Sequence, residues 1–320
     1  MKFINSHPDD FCITILVYIR KHHLNRLVKS IHKWTPKTPI VVYVDRCDDN
    51  LTLREQQKEL ISSLETMKEN RDILDYKVGD KHLNAKAAWY RAMKFGFTKS
   101  KSVLYLEDDL LLVRDPKVFI NEFHSRIKSN SILTLYPRRS RHTGLLVQTD
   151  WPALWGVYLM KRDFQELYRD KLDSQEDVKN TVAESFDLLG YKRNCDENRF
   201  TNLWNFKFLK AFESKTAWDT ELHYRLWSKN YMILSTSEQC VIEQESHPSS
   251  ITKNKALNRK RVLNHFSAQN CTPNQRGRGF LSCKRCEKTA YFSYLPRFIA
   301  IRYKLSLLKE YSRKLRDKTK

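Results

Sequence analysis

Residues 102–116 read SVLYLEDDLLLVRDP: a short apolar run, Ser102 to Leu106, that breaks abruptly into Glu107, Asp108 and Asp109. Such a run fits a buried strand, and the three carboxylates then leave its carboxyl end. Adjacent carboxylates repel one another, and partial burial raises their pKa values unless a cation or hydrogen bonds compensate. A hard divalent ion is the simplest compensation. Mg²⁺ or Mn²⁺ takes carboxylate oxygens, keeps positions open for phosphate oxygens and can neutralise a departing diphosphate. The alternative is a solvated acidic turn leading into a helix at Asp115–Pro116, where proline suits the first turn.

Working outward toward the amino terminus, FCITILVYI (11–19) reads as a strand buried on both faces, followed by helical spacing at Leu24, Leu27, Val28 and Ile31. Pro36 and Pro39 end that helix. IVVYV (40–44) is a second buried strand that delivers Asp45 and Asp48–Asp49 at its end. A polar helix with Leu53, Leu60, Leu64 and Met67 on one stripe follows, then a strand over 73–78 and a helix marked by Ala85, Ala88, Trp89 and Ala92. Alternating strands and helices predict an α/β fold with a mostly parallel central sheet flanked by helices, whose ligands bind beyond the strand carboxyl ends. The acidic clusters all fall there.

Toward the carboxyl terminus, Phe119, Ile120, Phe123 and Ile127 predict a helix and Ile132 to Tyr136 a strand. PRRSRHTG (137–144) is a basic loop, and WPALWGVYLM (151–160) brings two tryptophans, Trp151 and Trp155, and a strand. Residues 162–230 read as mainly helical, and YMILS and QCVIE as two last strands. From His247 the composition shifts to Lys, Arg, Asn and Ser. The expected organisation is therefore 1–110 and 111–250 as two halves of one domain, with 251–320 as a basic extension.

The chain has 320 residues, ample for a buried core. Its net charge, 58 − 37 = +21, attracts nucleotides, nucleic acid or anionic lipid headgroups. With only seven glycines, neither GxxxxGK(S/T) nor GxGxxG occurs, which excludes the standard phosphate loops. The run Phe11 to Ile19 is too short to span a bilayer. Seven cysteines without a secretory leader predict a reducing, cytoplasmic setting in which most thiols, Cys12, Cys47, Cys195 and Cys240 among them, are simply packed.

A first strand ending near Arg20, a second ending in Asp45, and SVLYLEDDLLLVRDP some sixty residues later resemble the GT-A nucleotide-sugar glycosyltransferases, family 2 and N-acetylglucosaminyltransferase-like enzymes in particular. The likeness covers roughly residues 11–250. It implies a Rossmann-like GT-A sheet and transfer of a hexosyl or N-acetylhexosaminyl group from a nucleotide-diphosphate sugar to a glycan or lipid-linked hydroxyl. It also implies that Asp109 binds Mn²⁺ or Mg²⁺, that Arg20, Asp45, Glu107 and Asp108 face the donor, and that His247 completes the metal shell. TAWDTELHYRLWSKNYMILS (216–235) resembles the segment that carries the catalytic base, which makes Asp219 the candidate and Glu221 its backup. Thr216 and Asp219 also fit a helix capping box. Trp151, Trp155 and Gly156 resemble the stretch that meets donor sugar and acceptor, although aromatics there also suit a core. The sequence departs from the family pattern at three places: Glu-Asp-Asp stands for Asp-x-Asp, Trp-Asp for Glu-Asp, and Arg46–Cys47 for a glycine turn after Asp45.

In the basic extension, His265, Cys271, Cys283 and Cys286 offer one nitrogen and three sulfurs, a donor set suited to structural Zn²⁺, against the alternative of ordinary surface thiols. RFIAIRYKLSLLKEYSRKLRDKTK (297–320) reads as an amphipathic helix able to meet an anionic membrane peripherally, to hold nucleic acid, or to dock on its own domain. Three other functions stay open: a DNA-modifying glycosyltransferase of the same fold, a Mg²⁺ nuclease using Asp45, Asp108 and Asp109, and a non-enzymatic nucleic-acid binder.

Overall fold

Strand β1 (Phe11–Val17) is FCITILV, with six of seven residues buried, as a β-branched run covered on both faces requires. It lies between β2 (Ile40–Val44) and β4 (Ser102–Glu107), parallel to both. The computed structural model describes residues 11–47, 50–127, 130–137, 144–149, 153–170, 205, 207–209 and 211–244. The chain divides into two units, Met1–Glu245 and Ser246–Lys320, and every described residue belongs to the first. The expected basic helical extension lies outside the described residues.

Beyond β2 the sheet continues with β3 (Asp75–Val78), and beyond β4 with β8 (Val157–Met160), β6 (Ser131–Thr134), β9 (Met232–Thr236) and β7 (Leu146–Gln148), in the order β3-β2-β1-β4-β8-β6-β9-β7. Only β8 and β7 run against the rest, so six of eight strands share a direction. This is the mixed, Rossmann-like α/β sheet that the sequence predicts. A separate ribbon pairs β5 (Leu110–Leu112) antiparallel with β10 (Val241–Glu243).

One face of the sheet is covered by α1 (Lys21–Trp34), α2 (Leu51–Glu69) and α4 (Lys117–Arg126), through Leu24, Leu27, Ile31, Leu60, Leu64, Phe119 and Phe123. The other is covered by α3 (Asn84–Gly96), α5 (Lys161–Leu167) and α6 (Trp218–Ser228), through Trp89, Ala92, Met93, Phe164, Trp218 and Leu222. Helix starts follow local chemistry: Asn50 Oδ1 accepts from Leu53 N at 3.1 Å, and Asp115 Oδ1 from Lys117 N at 2.9 Å. Gly96 lets α3 approach β1 closely, because a Cβ there would stand 2.1 Å from Thr14 Oγ1.

Several expectations need adjustment. β1 ends at Val17 and β6 at Thr134, each two residues short of the apolar run. The stretch after the acids forms β5, which pairs with residues far along the chain, and QCVIE supplies β10 outside the main sheet. β7 carries no strong local pattern. Among the described residues no helix is long and apolar enough to cross a membrane.

Candidate active site

The chain runs outward from β1 to β2 to β3, then returns to place β4 on the other side of β1. Such a reversal opens a crevice beyond the strand carboxyl ends, where ligands of open α/β sheets bind. Arg20 follows β1, Asp45 follows β2, and Glu107, Asp108 and Asp109 close β4, with Leu16 in register with Glu107. The acids are therefore at the reversal itself.

Asp108 is 2% exposed and is gripped by the Arg20 guanidinium, Nε to Oδ2 at 3.1 Å and Nη2 to Oδ1. Arg20 Nη1 also stands 3.6 Å from Asp109 Oδ2. Burial still pushes the Asp108 carboxyl up to about 7 against the pull of Arg20. Burial, followed by the Asp109 charge, pushes Glu107 up to about 8, while a 2.9 Å hydrogen bond from the Trp218 indole N–H to its Oε1 pulls the other way. The charge of Asp219 adds to the rise, so the start of α6 contributes to the same negative field. Fully ionised, the cluster would carry more negative charge than one guanidinium relieves, and Glu107 and Asp108 hold protons to higher pH instead.

Asp45 is buried, accepts from Leu83 N at 3.0 Å and holds His82 Nδ1 at 2.9 Å, which ties the end of β2 to the loop before α3. Gln57, which nothing in its sequence context singles out, donates to Tyr18 O and Asp45 O and accepts from Cys47 N, joining the ends of β1 and β2. Gln244, likewise unpredicted, reaches the acidic turn from the end of β10.

Asp219 is exposed in the first turn of α6, and its Oδ1 accepts from Thr220 N at 2.8 Å. The capping box does not form: Ala217 is the N-cap, and Ser214 Oγ accepts from the Thr216 and Ala217 amides. Glu221 is buried between Lys86 Nζ at 2.5 Å and Arg225 Nε at 2.8 Å. Arg225 in turn donates to Leu167 O and lies over the Tyr168 ring at 4.4 Å.

Trp155 packs edge-on against Tyr136 at 4.7 Å. Gly156 has φ +75°, and a Cβ there would meet Leu135 Cβ at 3.0 Å, so glycine serves the backbone at that position. Cys12, Cys47 and Cys240 are buried free thiols, and burial pushes Cys12 up to about 11 and Cys240 up to about 12. Trp151, His247, Cys195, His265, Cys271, Cys283 and Cys286 lie outside the described residues.

Trp218 belongs to two environments. Its N–H meets Glu107, while its ring stacks on Trp89 at 5.1 Å and 11° and walls a cavity of about 390 Å³. Tyr90, Tyr168, Phe212 and the Lys86–Glu221 pair complete the principal lining.

Among the described residues, no group of three or more His, Cys, Asp or Glu is arranged to hold a metal on its own. Small hard ions, however, are commonly held by one or two carboxylates together with substrate phosphates. Asp109, with its side chain 30% exposed beside the buried Asp108, is a carboxylate of that kind. The donor chemistry fits a divalent ion that arrives with a phosphate ligand.

No family model and no curated protein matches the sequence. Solved structures to which the chain is similar include S. aureus TarS 1–349 in complex with UDP, at 14% identity and TM-score 0.31 over 42% of this chain and 37% of that one. GalNAc-T7 with UDP, GalNAc and Mn²⁺ is similar at 12% identity and TM-score 0.45 over 74% and 45%. S. aureus TarS 1–349 is similar again at 11% identity and TM-score 0.38 over 82% and 67%. The chain spans less than half the length of the first two in those alignments. Likeness of this degree carries no argument, and the functional reading rests on this chain's own residues.

Proposed function

We propose that the chain is a GT-A-type glycosyltransferase that takes a sugar from a nucleotide-diphosphate donor and passes it to a hydroxyl acceptor. The observation that carries this reading is the Glu107–Asp109 cluster with Arg20 at the reversal between β1 and β4, a negative site at the ligand edge of the sheet. Asp109 would hold the divalent ion, joined by His247 as the resemblance to GT-A enzymes implies. Bound there, the ion supplies charge neutralisation to the donor diphosphate. Arg20 orients Asp108 and opposes the rise that burial imposes on its carboxyl, and Trp218 fixes Glu107.

Asp219, exposed at the amino end of α6, is the candidate base. In that role its carboxylate takes the acceptor hydroxyl proton as the oxygen bonds to the anomeric carbon and the nucleoside diphosphate leaves, which inverts the centre. Glu221, paired with Lys86 and Arg225, is the weaker choice. The aromatic cavity beside Trp218 offers ring faces for a glycosyl acceptor. Glycan and lipid-linked acceptors are the first readings and DNA the second, favoured by the charge of +21. Transfer of labelled sugar to lipid, oligosaccharide or DNA separates them. A two-ion nuclease fits less well because Asp45 and Asp108 are already engaged by His82 and Arg20.

The test is thermal stabilisation by UDP and other nucleoside diphosphates, with and without Mn²⁺. Metal-dependent stabilisation supports the reading, and its absence across all nucleotides sinks it. Asp219→Asn is expected to lower turnover about 100-fold or more at unchanged donor affinity, since general-base contributions are roughly 10²–10⁴; undiminished turnover removes the assignment.

The pH dependence follows from Glu107 near 8 and Asp108 near 7. Both sit above their unfolded values of about 4, so the native state binds the extra protons and their contribution to stability falls as pH rises from about 4 to about 8. A cation that relieves the cluster must displace those protons. The Mn²⁺·UDP increment in Tm is therefore expected to grow between about pH 5.5 and 8.5, and a flat or falling increment contradicts the assignment.

A further inference from the structure

Gln244 follows β10 and is 3% exposed. Its side-chain amide nitrogen lies 2.9 Å from Asp108 O, 3.1 Å from Leu110 O and 3.0 Å from His23 O. Only an NH₂ group can face three carbonyls, so the amide orientation is fixed by chemistry: the opposite flip would set oxygen against oxygen. Its backbone N–H donates to Asp109 O at 2.6 Å, one step beyond the β5–β10 ladder. One residue therefore holds the main chain of Asp108, Asp109 and Leu110, and joins that turn to the first full turn of α1, which starts immediately after Arg20.

The requirement is electrostatic as well as geometric. Carbonyls at the carboxyl end of a strand add partial negative charge to a turn that already carries three carboxylates, and their alternative partner, water, is excluded by burial. Burying those carbonyls under an apolar side chain would leave them unpaired, and the turn would have to open toward solvent. Asp109, whose side chain has the loosest hold on the protein of the three acids, would lose its aim first.

We propose that Gln244 is a positioning residue for the acidic turn, setting the direction of Asp109 through the main chain without touching the ligand itself. The inference deepens the functional reading above and rests on it for its second readout only. Gln244→Met keeps the volume and removes the donor; Gln244→Glu keeps the shape and places a carboxylate against the three carbonyls. Leu64→Ala, a core truncation on α2 remote from the turn, serves as the control for general loss of stability.

The first measurement is amide hydrogen exchange across residues 108–113. Both Gln244 variants are expected to speed it at least tenfold while residues 40–44 of β2 stay protected, whereas Leu64→Ala speeds exchange without that local bias. The second is the Mn²⁺ concentration that half-saturates UDP-dependent stabilisation, expected to rise at least tenfold in Gln244→Met and by less than twofold in Leu64→Ala. Exchange at 108–113 no faster than in Leu64→Ala overturns the proposal, as does an unchanged Mn²⁺ requirement in a wild-type protein that responds to the metal. A wild type that ignores Mn²⁺·UDP instead overturns the glycosyltransferase reading, and the exchange measurement still decides whether Gln244 holds the turn.

Discussion

On the proposed function, an Asp109→Ala protein is expected to keep its fold, to lose Mn²⁺-dependent stabilisation by UDP, and to transfer sugar at least about 100-fold more slowly, the scale expected when a metal that neutralises a leaving group is lost. The first half of this expectation follows from exposure. The Asp109 carboxylate is 30% exposed and its partner Arg20 Nη1 is 3.6 Å away, so removal changes stability by no more than about 1 kcal/mol. The second half follows from placement. Asp108 is held by Arg20 and Glu107 by Trp218, which leaves Asp109 as the member of the cluster best able to turn toward an incoming ion. Calorimetric titration of Mn²⁺·UDP into wild type and variant, beside a denaturation curve for each, separates the two halves. A variant that still binds the metal complex would move the metal elsewhere.

Arg20→Met should have the opposite character, a stability defect before a binding defect. The methionine retains the aliphatic stem but leaves Asp108, its side chain 3% exposed, without its counter-ion. Removing one partner of a buried pair costs about 3–5 kcal/mol, and because the Arg20 side chain is 42% exposed the expected loss is smaller, about 2–3 kcal/mol. The carboxyl responds by holding its proton to higher pH, so the defect is smallest near pH 5 and largest near pH 8, the sign for an acid whose folded pKa lies above its unfolded one. Arg20→Met with Asp108→Asn should recover most of the loss at pH 8. Urea denaturation of the three proteins at both pH values provides the check, and a small, pH-independent change would mean that the pair contributes little.

The parallel half of the sheet was legible because its determinants are local. FCITILV, IVVYV and SVLYL are each short, apolar and followed by charge, and α1 and α3 announce their buried stripes at helical spacing. The acids at the end of β4 could be placed at the ligand edge by the same logic. What could not be read was everything that depends on residues distant in the chain. β5 is three leucines that become a strand because Val241–Glu243 lie alongside. The reversed direction of β8 is set by where β4 and β6 leave room. Gln57 and Gln244 are ordinary polar residues until the fold points their amides at carbonyls. Trp218, which stands where the GT-A pattern that the sequence resembles has the first of an acidic pair, supplies the N–H that meets Glu107.

The position of β8 bears on how the protein can be divided. Residues 1–110 are expected from the sequence to form one half of a single domain, and β4, the last strand of the main sheet in that stretch, is paired along Ser102–Tyr105 with residues 157–160. Cut away from the remainder, that fragment would end on a bare, apolar edge with unpaired amides and carbonyls, a template for association with other chains. Pairing of β4 with β8 joins the stretch before residue 110 to the stretch after it by main-chain hydrogen bonds, so a cut at that point would break the sheet.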